Sequence, residues 1–343
     1  MCRLSLTQMI SSATLTVLLA GCSSVSQSTP ASMSTTQSPR GMMRGLPNVQ
    51  TFGGDVGISR TGQRASGLYA CPAIGPLKYV TDALNNVINV YTGKFNEQTP
   101  CGQLTGDLTQ PQSLYVDVRT HDLYVANTGG FDVVVFHRGQ TTPFNTYTDP
   151  DPNRQYPLSI VVAKDGTVIA SNYHAVGGPE MGSLSTWIEG PNGGTFVGNF
   201  PYNDYGQGRY IAINEHDSVY YSDFELGIGG MLLWNVTCPL GHCGHQRQVA
   251  GVSFIDAFGM VFTADGDLIV EDTQPGKIET FELPNPTPSS FFVMGSPDGL
   301  AINPSDQHLY IANGGPEEAE EYTYPGGVLI GTVPGGIGVA VDP

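Results

Sequence analysis

The sequence predicts an all-β fold, a six-bladed β-propeller closed by its own chain ends, and three observations carry that prediction. The first is composition: 44 Gly and 25 Pro in 343 residues, 16 Tyr and 14 Phe, and only 13% charged residues. Such a chain suits short strands joined by many turns and excludes a helical bundle or coiled coil, which needs Ala, Glu, Lys and Leu. The second is an internal repeat of propeller length. The third is a half-repeat at each end of the repeating region.

The repeat is a β-rich run ending in a small residue and then Asp or Asn. It occurs at 78–82 (KYVTD), 123–127 (LYVAN), 168–172 (VIASN), 219–223 (VYYSD), 268–272 (LIVED) and 309–313 (LYIAN). The terminal residues Asp82, Asn127, Asn172, Asp223, Asp272 and Asn313 stand 45, 45, 51, 49 and 41 positions apart. Five runs follow an apolar strand and a turn; Asp165-Gly166, Asp265-Gly266 and Asn303-Pro304 are tight-turn signals. A third strand comes next, as in Asp132–Phe136 or Lys277–Phe281. Units of 40–50 residues built from consecutive hairpins indicate propeller blades. The run 337–342 (IGVAVD) has the form of a first strand with no second, whereas 78–82 is a second strand with no first. Joined, they complete the sixth blade and remove a free sheet edge.

Residues 68–343 resemble the NHL and YVTN families of propeller repeats, through Pro297–Pro304 followed by Leu309–Asn313, and through Leu123–Gly129. That resemblance implies the fold and leaves the function open, because such folds host enzymes, sensors and scaffolds alike.

Ahead of the propeller (67–343) the sequence predicts two segments. Residues 1–21 form an export signal: Arg3, then a small-to-apolar stretch from Met9 to Ala20, too short to span a bilayer. It ends in Leu19-Ala20-Gly21-Cys22, which resembles the lipobox of bacterial lipoproteins. The resemblance implies that Cys22 becomes the acylated N-terminus, palmitate among its chains, and inserts in the lipid bilayer of the cell envelope; Ser23 after it implies the outer membrane in a Gram-negative host. Residues 22–66, rich in Ser, Thr, Gln, Pro and Gly, read as a flexible tether. Arg40, Arg44, Arg60 and Arg64 against Asp55 make the tether basic, while the whole chain carries −17. An acidic propeller is repelled by nucleic acid, which excludes it as a partner.

Candidate chemistry is sparse. No nucleophile elbow, phosphate loop or dinucleotide fingerprint is present. His121, His137, His174, His216 and His308 fall mostly in turns or loops. The six repeated Asp/Asn positions are expected to shape turns, since an Asx side chain bonds nearby backbone. Asymmetry is more informative. The residue before the Gly or Ser opening each innermost strand is expected to ring the channel mouth: Gln112, Leu158, Arg209, Phe258, Asp298 and Ile337. Arg209 and Asp298 orient a polar ligand in this reading, and Phe258 offers a flat face. Glu271 stands where the other blades have Thr81, Ala126, Ser171, Ser222 and Ala312, so it either serves a site or pairs with Lys277.

Pro297-Asp298-Gly299 in a six-bladed ring resembles the gluconolactonase and regucalcin-like propellers, which bind a divalent metal at the mouth. Only Asp298 matches that pattern, so no cofactor is expected beyond such a divalent cation. Catalytic residues are not assigned. Four cysteines remain outside the signal and the lipid site: Cys71, Cys101, Cys238 and Cys243. In an oxidising compartment they are expected to form Cys71–Cys101 and Cys238–Cys243 disulfides. The rival is a metal site from Cys238, His242, Cys243 and His245. Loops 171–186 and 223–230 are the expected seats of specificity. The function expected is non-enzymatic binding of a protein, peptide or glycan partner. The alternatives are a metal-assisted hydrolase or lyase at the mouth and a sensor or assembly subunit acting through strand edges.

Overall fold

A computed structural model describes residues 69–343, apart from 97–98, 153–155, 174–181, 203–206, 226–229, 274–275, 286, 294, 296 and 315–316. The expected signal and tether, with Cys22, lie outside the described residues. So do His174 and half of each of the two loops expected to carry specificity.

Twenty-four strands form six four-stranded antiparallel sheets. Blade 1 holds β1 (Pro111–Asp117), β2 (Asp122–Asn127), β3 (Asp132–Phe136) and β4 (Asn145–Thr148). Blade 2 holds β5 (Pro157–Val162), β6 (Thr167–Asn172), β7 (Ser183–Ile188) and β8 (Thr195–Pro201). Blade 3 holds β9 (Gln207–Ile213), β10 (Ser218–Glu225), β11 (Gly230–Thr237) and β12 (Gly244–Phe254). Blade 4 holds β13 (Ala257–Phe262), β14 (Leu268–Asp272), β15 (Lys277–Phe281) and β16 (Ser289–Phe292). Blade 5 holds β17 (Pro297–Ile302), β18 (His308–Asn313), β19 (Glu318–Thr323) and β20 (Leu329–Pro334). The closing blade unites C-terminal β21 (Val339–Asp342) with β22 (Leu77–Asp82), β23 (Val87–Tyr91) and β24 (Gly102–Leu104). Both half-repeats read from the sequence are therefore strands of one sheet.

In each blade the first strand is innermost; it runs from the end that carries the connections between blades, the loop end, to the end where, in blades 1 to 5, a hairpin turn leads to the second strand, the turn end. Alternate side chains of each sheet face opposite neighbours, so apolar β-rich runs pack as wedges between blades. Leu77, Ile88, Leu123 and Phe136 fill the wedge between the closing blade and blade 1, and Val80, Tyr91, Phe95 and Tyr310 fill that between blade 5 and the closing blade.

Polar anchors hold the closing blade on both sides. Buried Asp342 on β21 contacts His121 Nδ1 at 2.6 Å and accepts from Arg138, whose guanidinium also donates to the Gly75 carbonyl. On the other side, Glu321 of β19 accepts from the Phe95 amide and contacts His308 Nδ1, both at 2.8 Å, with Lys78 Nζ 4.0 Å away. The Cys71–Cys101 disulfide ties the segment before β22 to the start of β24, beside an Ala70 N–H to Cys101 carbonyl bond. Cys238 and Cys243 are bonded to each other as well. The alternative metal site at Cys238, His242, Cys243 and His245 is thereby excluded, because both thiolates it requires are consumed.

The repeated Asx residues act structurally. Asn127 Oδ1 accepts from the Thr109 amide, and Asp272 accepts from Ile255 and Asp256 amides. Each latches the loop that enters its own blade, whereas Asp82 accepts from Asn85 in the turn that follows it.

Candidate functional site

At the loop end, the residues expected at the mouth are buried at every position whose side chain is described. Gln112, Leu158, Phe258, Asp298 and Ile337 are 1–9% exposed. Arg209 stands on β9, with its side chain outside the described residues. Side chains at the starts of these inner strands pack against their neighbours. Phe258, for example, packs on Tyr210 with ring centroids 5.6 Å apart.

Two carboxyl groups are enclosed in this packing. Glu271 on β14 is 0% exposed and Asp298 on β17 is 2% exposed. Glu271 does not pair with Lys277, which bonds Glu279 instead; β14 and β15 align Glu271 with Ile278 and Asp272 with Lys277, on the opposite face. In two other blades the equivalent position carries a hydroxyl bonded to backbone at or beside the inner strands. Ser222 Oγ accepts from the Tyr210 amide and donates to the Ala257 carbonyl, and Thr81 Oγ1 accepts from the Gly338 amide at 2.7 Å.

Glu271 is longer than those residues, and Gly259 makes room for it. Its Oε2 lies 2.7 Å from where a Cβ on Gly259 would stand, and the Leu300 amide and Gly299 flank the same spot. Any side chain at Gly259 would collide with it. Among the described residues no oxygen of Glu271 or Asp298, nor Gln112 Oε1, has a partner at full hydrogen-bond geometry, the Gly259 and Gly314 amides lying beside the two carboxyls. Burial pushes the Glu271 pKa well above the carboxylate range, and the neighbouring charge of Asp298 and then that of Asp256 add to it. Burial likewise raises Asp298, with Asp256 adding to the effect. Weak contacts with the Gly259 and Gly314 amides oppose these shifts without reversing them. The pair is held toward its neutral form, since desolvation disfavours the charge.

The open cavity is at the other end. The channel holds about 520 Å³, beginning at Ser113, Ser159, Tyr210, Gly259, Gly299 and Gly338 and opening between Arg119, Lys164, Glu215, Asp217 and Asp306. Its wall is largely aliphatic, with Ile160, Ile213, Val261, Ile302 and Val341 among the contributors. The rim turns bind one another: Arg119 donates to the Lys164 carbonyl, the Lys164 amide to Asp217 at 3.0 Å, and the Ala264 amide to Asp306 at 2.9 Å. Val118 on this rim and Leu240 at the tip of the Cys238–Cys243 hairpin are exposed apolar side chains.

Among the described residues no histidine or cysteine lines the cavity. Ser159 Oγ accepts from the Ile211 amide, and Thr263 Oγ1 accepts from the Asp267 amide. Sequence reasoning singled out Glu271 and Asp298, which are buried, and gave no signal for the cavity at the turn end. The pattern that fixes inner strands says nothing about which end the side chains fill.

No family model matches the chain, and no curated protein matches it in sequence. Solved structures do. The chain is similar to one in a nidogen/laminin complex, at 12% identity and a TM-score of 0.63 over 78% of this chain and 99% of that one. It is similar to hydrazine synthase of Kuenenia stuttgartiensis, at 15% identity and a TM-score of 0.54, covering 76% and 85%. It is also similar to virginiamycin B lyase of Staphylococcus aureus, at 12% identity and a TM-score of 0.50, covering 75% and 80%. At such identities the likeness concerns architecture alone. The chain is a six-bladed β-propeller.

Proposed function

We propose that this protein is a non-enzymatic binding scaffold of the bacterial cell envelope, held there by lipid on Cys22, that receives part of a protein, peptide or glycan ligand in its central channel. The observation supporting this reading is the cavity itself. It is apolar-walled, open at the turn end, bordered by exposed Val118, and lined by no nucleophile–base pair among the described residues. A rigid ring whose turns are bonded to one another suits recognition without rearrangement.

The test is photo-crosslinking in intact cells, with the reactive side chain at Val118 on the channel rim or at Ile255 in the loop between β12 and β13. Both are more than half exposed. The proposal expects a discrete adduct from Val118 and none from Ile255; the reverse pattern would move the binding face to the loop end.

A second reading, a metal-assisted hydrolase or lyase at the loop end, draws on Glu271 and Asp298. Hard cations prefer several oxygens, and these two residues supply carboxyl oxygens without partners at full hydrogen-bond geometry. Among the described residues, however, no group of three or more His, Cys, Asp or Glu side chains stands at ligand spacing. The set present does not fit a metal, and no catalytic step is derived through one.

A further inference from the structure

We infer that one arc of the turn end, running from blade 5 over the closing blade to blade 1, is a membrane-contact surface that rests on the bilayer holding the Cys22 lipid. It relies on the anchor of the proposed reading for where that bilayer stands. Third strands run in the same direction as first strands, so the links from third to fourth strands also belong to the turn end. Asp342 pairs with Leu77, which puts the segment before β22 there as well. Among the described residues eight large apolar side chains are exposed, and five stand on this arc. Val328 and Leu329 lie where blade 5 turns into β20, Ile74 (88% exposed) lies just before β22, and Val118 and Phe144 lie on blade 1. Of the others, Leu84 and Ile255 are at the loop end and Leu240 is on blade 3. Single exposed apolar side chains are ordinary, whereas a grouping on one side marks an interaction surface.

The arc is continuous. A Cβ on Gly331 of β20 would stand 2.5 Å from the Phe95 carbonyl oxygen of the closing blade, and Arg138 of blade 1 donates to the Gly75 carbonyl beside Ile74. Charge favours a lipid surface here and on no other side of the turn end. The described carboxylates of the closing blade and blade 1 at this end all have basic partners: Asp117 accepts from Arg119, Asp122 contacts His137 and Asp342 accepts from Arg138. Lys94 is exposed beside them. The turns of blades 2 to 4 instead carry Asp165, Glu215, Asp217, Asp265 and Asp267 against Lys164. Apolar side chains beside cations suit the headgroup boundary of an anionic bilayer, and the acidic side is repelled by it. The ring therefore tilts, and the channel mouth stays open toward blades 2 to 4. A second copy is a poorer occupant, because each chain carries −17. The position of the chain end agrees with the bilayer: Tyr69, the first described residue, lies 4.0 Å from where a Cβ on Gly139 would stand, within blade 1's part of the arc. Attachment through Cys22 makes the contact intramolecular, so a weak surface suffices.

The experiment holds the exported chain carrying Cys22→Ser on vesicles of phosphatidylethanolamine and phosphatidylglycerol, through an N-terminal polyhistidine tag and nickel-chelating lipid. Its outcome is independent of acylation, so the arc and the lipid anchor fail separately. An environment-sensitive fluorophore is attached at Phe144→Cys, Leu329→Cys, Leu240→Cys or Ile255→Cys, all exposed positions, and brominated lipids serve as quenchers. Blue-shifted emission and quenching are expected at Phe144 and Leu329, with Leu240 and Ile255 unchanged from solution. Lys94→Gln is expected to lower the docked-to-free ratio about fivefold, the effect of one cation at an anionic surface. Four unchanged spectra would overturn the inference, as would equal quenching at all four positions. A shift at Phe144 or Leu329 that grows with protein concentration in the absence of vesicles would assign the arc to a second copy and overturn it too.

Discussion

Replacing Asp342 by Ala tests how the ring is closed. Asp342 is 0% exposed, sits on a strand of four residues, and joins His121 and Arg138 of blade 1 to the closing blade. Arg138 is itself 15% exposed at its side chain, so the substitution leaves a nearly buried guanidinium without its carboxylate. Removing one partner of a buried charge pair costs about 3–5 kcal/mol, more than the pair is worth, because the other charge stays desolvated. His121, at 44% side-chain exposure, finds water instead and adds little. With roughly 2.1 cal/mol/K of unfolding entropy per residue over residues 69–343, that loss corresponds to a fall in Tm of about 5–9 °C. The assay is thermal unfolding by circular dichroism of the Cys22→Ser chain, with and without 0.5 M salt. Salt screens exposed pairs and not a buried one, so the fall is expected to persist. His121→Ala should lower Tm by no more than about 2 °C, within the range for an exposed ion pair. A Tm for Asp342→Ala within 1 °C of the parent would refute the latch and leave closure to backbone pairing and apolar wedges.

Three further outcomes are expected. Cys22→Ser should move the protein from the membrane to the soluble fraction and abolish palmitate labelling; retention in the membrane would remove the lipid anchor. Replacing Cys71 and Cys101 by Ser should cost about 3–4 kcal/mol, as expected for a cross-link of sequence separation 30, whereas the Cys238–Cys243 link of separation 5 should cost less. Comparing the two double variants in urea titrations checks the order. Asp132 is pushed up by burial to about 6, and Asp107 adds to the shift against the Asn127 hydrogen bond. A raised folded pKa means the native state holds a proton that the unfolded chain has released. Stability from this group is therefore fullest below the ordinary aspartate value and is lost as pH rises from about 4 to about 6. Asp132→Asn should flatten the stability profile across that window.

The blades were legible because a local rule repeats: an apolar strand, a turn, a second strand ending in Asx, and Asx side chains that do latch neighbouring backbone, as Asn127 and Asp272 show. The closing blade was legible because each chain end lacked what the other supplied. Disulfide pairing followed from the cysteine count and spacing, and the bonds formed accordingly. Glu271 was conspicuous as an acid in a column of small residues, yet its environment was hidden. The glycine that admits it, Gly259, belongs to the neighbouring inner strand β13, and strand register turns Glu271 away from Lys277. Arg138 and Glu321 gave no signal, since their partners Asp342 and Lys78 lie more than 200 residues away. Which end of the channel opens depends on how side chains from six strands share one axis, and no single blade encodes that.

The most direct test of the account is occupancy of the channel in the cell. Ser113 lines its inner end and is half-buried, and Ser113→Cys changes little in volume. Alkylation of this cysteine by a small iodoacetamide is expected to be rapid in the purified, ligand-free Cys22→Ser chain and strongly slowed in intact cells expressing the anchored protein, with Val118→Cys at the rim as the reference position. Equal alkylation of Ser113→Cys in both settings, relative to that reference, would show an empty channel and contradict the account.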